Sequence, residues 1–323
     1  MRIAVTGGGG FIGGSVVRQL AARGDHVVAL VRDPAKAAAL AGPNVELVES
    51  DLSDIDAITA LLAGADALIH GAGSYKVGIK ASEHDAMWEA NVGTTERVLA
   101  AARAAGTPRI AYVSTIGIFG DTHGREVDET YRRDPKDGFL SWYDLTKFRA
   151  HEIAEAAIAD GLPLVIAQPG QVYGPGDHTQ IGEVLGAAYR GTLRYLALSQ
   201  VALEMAHVDD TAAGIIAALD RGRIGEAYVV GGEAHTLASA VGVAARVGGH
   251  KPPRLTVPTA LLRLIAPIND RLGGLPGFPA DLRESIATAQ ASYLASHDKA
   301  ARELGFAPRS LEQGIVDTFG VHS

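Results

Sequence analysis

The sequence predicts an α/β chain: a doubly wound parallel sheet covered by helices on both faces, followed by a smaller, mainly helical C-terminal lobe. Three observations predict it. Short apolar runs alternate with helix-period segments over the first half of the chain. The apolar runs are continuous rather than alternating, as in strands buried on both faces. A glycine cluster joins the first run to the first helical segment.

Taken in order, Arg2–Thr6 reads as a buried strand and Phe11–Arg23 as a helix. His26–Val31 is Val-rich and apolar, a second strand, and Ala35–Leu40 a short helix. Val45–Glu49 is a strand, Asp54–Leu62 a helix, and Asp66–His70 a strand. An Ala-rich helix is expected from Ser82 to Ala105, then a strand at Arg109–Ser114, a helix at Ser141–Asp160 and a strand at Leu164–Gln168. Right-handed crossovers between such strands give a Rossmann-type sheet.

The rhythm breaks after Pro169, at the turn cluster Gly174-Pro175-Gly176-Asp177. Helices are expected at Ile181–Arg190, Asp209–Asp220, Ala238–Ala245, Ala260–Leu272, Pro279–Gln290 and Asp298–Leu304, with a strand at Ala227–Val230. The division read from this pattern is a dinucleotide-binding domain over 1–168, with 206–231 returning to it. Residues 169–205 and 232–323 form the substrate lobe over the open end of the sheet.

Composition narrows the chemistry. The 323 residues are 47% hydrophobic, carry a net charge of −8, and include no cysteine. Disulfides, thiolate nucleophiles and cysteine-based metal sites are therefore excluded, which fits a reducing cytoplasm. Acids and bases are interspersed without a basic stripe, so nucleic acid is not an expected partner. The longest apolar stretches, such as Thr259–Ile268, are short and contain Arg, so no membrane partner is expected either. No His and carboxylate spacing suits a metal.

Thr6-Gly7-Gly8-Gly9-Gly10-Phe11-Ile12-Gly13 gives the spacing G-x-x-G-x-x-G between a strand and a helix. Gly7 permits a tight turn, Gly10 lets the backbone approach a pyrophosphate, and Gly13 lets the helix pack close to the sheet. The helix N-terminus offers N–H donors and a partial positive charge. An isolated Gly run is as easily a flexible turn; the flanking strand and helix favour the nucleotide. At the end of the second strand, Leu30-Val31-Arg32-Asp33 has apolar Val31 where an NAD-type carboxylate is expected. Arg32 can pair with a 2′-phosphate, which favours NADP(H) over NAD(H). The alternative is a solvated Arg32 and a helix-capping Asp33.

Tyr143-Asp144-Leu145-Thr146-Lys147 places a phenol and an ammonium one helical turn apart. The ammonium is expected to lower the Tyr143 pKa, making it a usable acid or base near neutrality. Alone, that pair is equally a surface pair.

Together these motifs resemble the extended short-chain dehydrogenase/reductase family, the NAD-dependent epimerase/dehydratase superfamily. The resemblance runs over nearly the whole chain. After the glycine turn come Asp51-Leu52, His70-Gly71-Ala72-Gly73, Asn91-Val92-Gly93-Thr94, Val113-Ser114-Thr115, Tyr143 to Lys147, Pro169 to Gly176, and His207-Val208-Asp209-Asp210, in the family's order. It implies that Asp51 and Leu52 border the adenine, that Ala72 and Gly73 line the cofactor, and that Pro169 and Val172 contact it. Thr115, counted back from Gly120, would hydrogen-bond the substrate oxygen. Tyr143 would protonate that oxygen, and Lys147 would hold the nicotinamide ribose. Asn91 would support a proton relay, or else serve as a kink or packing residue. Ser74, Tyr75 and Gly170 join Thr115 and Tyr143 as the expected substrate contacts. The family often dimerises through the long helix and the Tyr-bearing helix, so a homodimer is expected.

Ser114 reads as a residue satisfied by backbone near the strand end, and His70 and His207 as structural. Asp209 and Asp210 read as fixing a helix start. Two departures stand out: Gln168 replaces the family's Arg before Pro169, and Ile116-Gly117 follow Thr115 where sugar dehydratases carry two acids. The reading that results is an NADP(H)-dependent reductase of a small hydrophobic ketone or alcohol, similar to the dihydroflavonol-reductase-like branch. The alternatives are a nucleotide-sugar epimerase that retains NAD, with Arg190, Arg194 and Arg254 as phosphate contacts, and a non-catalytic NADP-binding sensor.

Overall fold

The computed structural model describes residues 1–274 and 279–320. The first half runs β1 (Arg2–Thr6), α1 (Phe11–Arg23), β2 (His26–Val31), β3 (Val45–Glu49), α2 (Ile55–Leu62), β4 (Ala67–His70), α3 (His84–Trp88), α4 (Thr94–Ala104), β5 (Ile110–Val113), α5 (Trp142–Ala159) and β6 (Leu164–Pro169). There follow β7 (Gln171–Tyr173), α6 (Gln180–Tyr189), β8 (Tyr195–Ala197), β9 (Ala202–His207), α7 (Val208–Arg221), β10 (Ala227–Val230), β11 (Glu233–Thr236) and α8 (Leu237–Val247). The chain closes with β12 (Leu255–Val257), α9 (Thr259–Arg271), α10 (Leu282–Gln290), α11 (Asp298–Leu304) and α12 (Leu311–Phe319).

The central sheet has the order β10-β6-β5-β4-β1-β2-β3, with every neighbouring pair parallel. Side chains alternate across it. Ile3 and Val5 of β1 face α1, α7 and α11 through Val17, Leu20, Ile215 and Leu304. Ala4, Val28 and Leu30 face α2, α4 and α5 through Ile58, Leu62, Val98 and Ala150. The strand order reverses between β1 and β4, so a crevice opens at their carboxyl ends.

Two expected helices differ in form. The Ser82–Ala105 stretch is α3 and α4 joined by a π-helical turn over Glu89–Gly93. Of Ala35–Leu40 only Ala38–Leu40 is helical, a single 3₁₀ turn, since Asp33 caps the preceding turn from Ala35 N and Lys36 N. The expected Pro279–Gln290 helix begins at Leu282, because Asp281 is its cap and accepts from Glu284 N at 2.8 Å. β10 joins the central sheet beside β6.

The C-terminal lobe is more mixed than the sequence suggests. Helices dominate it, but β11, β9 and β7 form a three-stranded sheet and β12 and β8 a two-stranded one. These strands are three to six residues long, too short to show a period. In β9 a buried Glu204 interrupts the apolar pattern.

Candidate functional site

The glycine turn is built by backbone contact. Gly7 has φ +73°, and a Cβ there would lie 2.8 Å from Ala72 N. A Cβ on Gly13 would lie 2.1 Å from the Gly7 carbonyl oxygen. Both glycines are therefore required by close approach. Gly10 is the N-cap of α1, has no side chain to cap it, and no acid stands in the first turn. Among the described residues, the N–H groups of Phe11, Ile12 and Gly13 find no acceptor. A helix N-terminus left open in this way fits an anionic diphosphate.

The neighbouring expected residues lie around the same crevice. Arg32, just beyond β2, is exposed and forms no ion pair among the described residues. Asp33 is occupied by the backbone of its own turn and by Lys36 at 3.4 Å. Asp51 accepts from Ser53 N at 2.9 Å and Ser53 Oγ at 2.6 Å, while Leu52 is buried with φ +62°. Leu52 O accepts from Arg97 Nε at 2.8 Å, which holds that left-handed residue in place. Ala72 N donates to Thr6 Oγ1 at 3.3 Å. Pro169 closes β6, and Val172 is buried in β7.

Behind the crevice runs a buried hydrogen-bonded chain that no sequence motif announces. Thr95 Oγ1 donates to Asn91 O at 2.7 Å, so it accepts from His70 Nε2 at 3.2 Å. His70 Nδ1 is then the acceptor for Thr6 Oγ1, 2.7 Å away. Every proton is assigned by its neighbour, and His70 is neutral with its hydrogen on Nε2. Burial, with Lys147 adding, pushes its pKa down to about 3. His70 is thus structural, as read, but by a specific network. The only sequence signal was hydroxyl residues at Thr6 and Thr95, which are ordinary in such elements.

Asn91 sits in the π turn. Its Oδ1 accepts from Ser74 N at 2.7 Å, and its Nδ2 donates to Ser74 O at 3.1 Å and Thr146 Oγ1 at 2.9 Å. It clamps the Ser74 backbone to α5. A Cβ on Gly73 would meet Asn91 Oδ1 at 2.9 Å.

α5 starts at its cap Ser141, whose Oγ accepts from Asp144 N at 3.0 Å. Tyr143 and Lys147 project one turn apart toward the end of β5. Lys147 Nζ donates to Val113 O at 3.1 Å, and burial lowers its pKa to about 8. The expected lowering of the Tyr143 pKa does not occur: burial and the charge of the Tyr75 phenol raise it, and a side-chain hydrogen bond with Thr115 only partly offsets this. The reason is local dielectric, because the phenolate is the form that loses most on leaving water. Tyr75 meets Tyr143 edge-on, with ring centroids 4.8 Å apart.

Thr115 Oγ1 accepts from Gly117 N at 3.1 Å. Ser114 corrects another expectation: its hydroxyl pairs with His151 Nδ1 at 2.9 Å rather than with backbone. Asp209 and Asp210 do occupy the first turn of α7, but His207 is the cap. Asp209 instead accepts from Ser15 Oγ at 2.6 Å, and Asp210 pairs with Arg309 at 2.9 Å. Gly170 is half-buried against Glu204, whose carbonyl oxygen would be 2.7 Å from a Cβ there. The expected phosphate contacts Arg190, Arg194 and Arg254 are exposed on the C-terminal lobe. Among the described residues, no group of three His, Asp or Glu could hold a metal.

Three features missed in the sequence shape the substrate side. Arg133 and Asp144 form a buried bidentate ion pair at 2.7 and 3.2 Å, fixing the 121–140 loop to the Tyr143 helix. Glu284 accepts from Gly78 N at 2.7 Å and Trp142 N at 3.3 Å, so one α10 carboxylate ties the Ser74–Ile79 loop to the start of α5. Tyr293 packs with the apolar cluster of Ile116, Ile118 and Phe119 next to Thr115.

Comparison with known proteins shows the family. The family model described as NAD dependent epimerase/dehydratase family matches residues 3–231. A Synechocystis (strain PCC 6803) protein named putative dihydroflavonol 4-reductase is 32% identical, over 97% of this chain and 92% of its own. The 2-alkyl-3-oxoalkanoate reductase of Stenotrophomonas maltophilia K279a is 30% identical, over 98% and 97%. The crystal structure of gox2253 superposes with a TM-score of 0.83 at 32% identity, over 98% of this chain and 96% of that one. The chain belongs to the NAD-dependent epimerase/dehydratase family and is an NAD(P)-dependent oxidoreductase of the extended short-chain dehydrogenase/reductase type.

Proposed function

We propose that the protein is an NADP(H)-dependent reductase of a small, hydrophobic ketone, running in reverse as an alcohol dehydrogenase. The observation that carries this reading is the substrate side of the site. The Thr115 and Tyr143 hydroxyls come together beside the Tyr75 ring, and Ile116, buried in the apolar cluster that Tyr293 packs against, and Gly117 stand where a second acid and base would. Such a site can protonate one oxygen but has no further pair for eliminating water from a sugar. The reductase names of two relatives support the same class.

The open α1 terminus and Gly7, Gly10, Phe11, Ile12 and Gly13 would hold the dinucleotide diphosphate. Asp51, Leu52, Ala72, Gly73, Pro169 and Val172 would border the rest of the cofactor. Bound there, the nicotinamide supplies the hydride for reduction. Thr115 donates to the substrate carbonyl oxygen and fixes its position. Tyr143 donates its phenolic proton to that oxygen as it becomes an alcohol, and its high pKa keeps that proton in place beforehand. Lys147, held by Val113 O, places its ammonium for the ribose and stabilises the phenolate left behind. Ser74, Tyr75 and Gly170 would shape the pocket, and Asn91 would fix Ser74. Arg32, exposed and without an ion pair among the described residues, supports a 2′-phosphate.

The test is a panel of ketones and UDP-sugars followed at the NADPH absorbance, with NADH as control. Turnover of apolar ketones with NADPH is expected. Conversion of a UDP-sugar without net absorbance change would overturn the reading in favour of an epimerase.

A further inference from the structure

α9 carries an apolar face that stays largely exposed among the described residues. Leu261, Leu264, Ile268 and Leu272 are 51, 74, 62 and 64% exposed. At about 100° per residue they fall within an arc of about 80°. That arc is turned away from the side on which Leu262 and Ala266 pack against Leu282 and Ile286 of α10. The stripe continues onto the two-stranded sheet. Tyr195 and Leu255 are directly paired, 57 and 63% exposed, and the pair two residues on, Ala197 and Val257, packs against the same α9–α10 cluster. Scattered exposed apolar residues are ordinary, but six large ones from three adjoining segments are not.

The surroundings are basic. Over residues 190–200 and 250–272 the chain carries Arg190, Arg194, Lys251, Arg254, Arg263 and Arg271 against a single acid, Asp270, in a molecule of net charge −8. All six are exposed, and the two segments adjoin: a Cβ on Gly191 would lie 2.6 Å from the His250 ring. Among the described residues none of the six forms an ion pair, and Asp270 is taken by Arg283 at 3.5 Å.

We infer that this face docks on an anionic lipid surface, with the α9 stripe lying in the interface and the arginines among the headgroups. An amphipathic helix with apolar side chains on one side and a cation at its edge, as Arg271 stands about 20° from the arc, binds such a surface in plane rather than across it. No helix among the described residues is long and apolar enough to cross a membrane. Charge decides against a second copy of the chain as occupant. A two-fold contact sets the same patch on both partners, so the basic rim of one copy would face that of the other. The stripe is also linked to the site, because α9 packs on α10, and Glu284 of α10 holds the Ser74–Ile79 loop.

The test is cosedimentation of the full chain with sucrose-loaded vesicles of phosphatidylcholine, alone or with one-third phosphatidylglycerol. Binding to the anionic vesicles, weakened by salt, is expected, with little to phosphatidylcholine alone. The double variant Leu264→Asp/Ile268→Asp should bind at least about tenfold more weakly. Arg254→Glu/Arg271→Glu should lose the preference for anionic lipid. Unchanged thermal midpoints would show that both variants fold. Failure of the unmodified chain to bind anionic vesicles would overturn the inference. So would a dimer in sedimentation equilibrium that the Leu264→Asp/Ile268→Asp variant dissociates, since the face would then belong to a second copy. The readout involves no turnover, so it stands or falls separately from the proposed reductase activity.

Discussion

The ring of Tyr75 meets the ring of Tyr143 edge-on, 4.8 Å between centroids and 89° between planes. One ring belongs to the loop clamped by Asn91, the other to the α5 helix. The contact orients the phenol that we assign as proton donor. Tyr143→Phe keeps the ring contact and deletes the hydroxyl, so turnover should fall about 10²- to 10⁴-fold while NADPH binding by fluorescence is unchanged. Tyr75→Ala should instead raise KM more than it lowers kcat. Full activity in Tyr143→Phe would remove the phenol from the mechanism.

Arg32 tests the cofactor assignment. A hydrogen bond to a charged group contributes about 1.5–3 kcal/mol. Arg32→Glu should therefore weaken NADPH about 10- to 100-fold and leave NADH nearly unaffected. Equal loss for both cofactors in steady-state kinetics would mean Arg32 does not read the phosphate.

The Arg133–Asp144 pair is the loop's anchor, with side chains 7 and 4% exposed. Arg133→Ala leaves a buried carboxylate without its partner, at a cost of about 3–5 kcal/mol. Urea unfolding should show that loss. Arg133→Ala/Asp144→Ala should recover much of it, because no charge is then stranded.

His70 makes stability pH-dependent. In the unfolded chain it takes up a proton below about 6.5, whereas in the fold it stays neutral down to about 3. The unfolded state thus binds more protons in that window, and stability falls as pH drops through it. Relative to His70→Gln, the unmodified protein should lose stability steadily from pH 6.5 downward. A constant difference in urea midpoint across that range would contradict the buried, neutral imidazole.

Glu204 acts in the opposite sense. Burial raises its pKa to about 8 from the usual 4.5, with one oxygen accepting from Ala295 N. The folded chain keeps a proton that the unfolded chain releases, so this contribution is complete below about 4.5 and lost as pH rises to about 8. Glu204→Gln retains an acceptor for Ala295 N and should be the more stable form at pH 8, by thermal melts.

The sheet was legible because its strands are continuous apolar runs separated by helix-period segments, and those patterns are local. The glycine turn was legible for the same reason: Gly7 and Gly13 answer a backbone crowding that any strand–turn–helix of this kind imposes. What the sequence hid depends on contacts far apart in the chain. Thr6, His70 and Thr95 meet only when β1, β4 and α4 pack together. Arg133 finds Asp144 across a loop, and Glu284 reaches Gly78 over 206 positions. The Tyr143 pKa is not legible in the sequence, because spacing gives charge proximity but not desolvation.

The π turn at Glu89–Gly93 has a consequence for register. It holds about one residue more than an α turn would, so α4 leaves it rotated by about 100° from the course α3 alone would give. That one-residue offset is what lets Asn91 reach Ser74 and Thr146 while Val98 and Leu99, further along, still face the sheet. The helix is in effect an α-helix with a single-residue insertion. Deleting one residue from the turn would restore regular geometry and make the isolated helix a better helix. The same deletion would carry either the asparagine or the apolar face a quarter-turn out of alignment. Local regularity and the shape of the crevice are therefore competing demands on this stretch of chain, and the fold is built around the irregular answer.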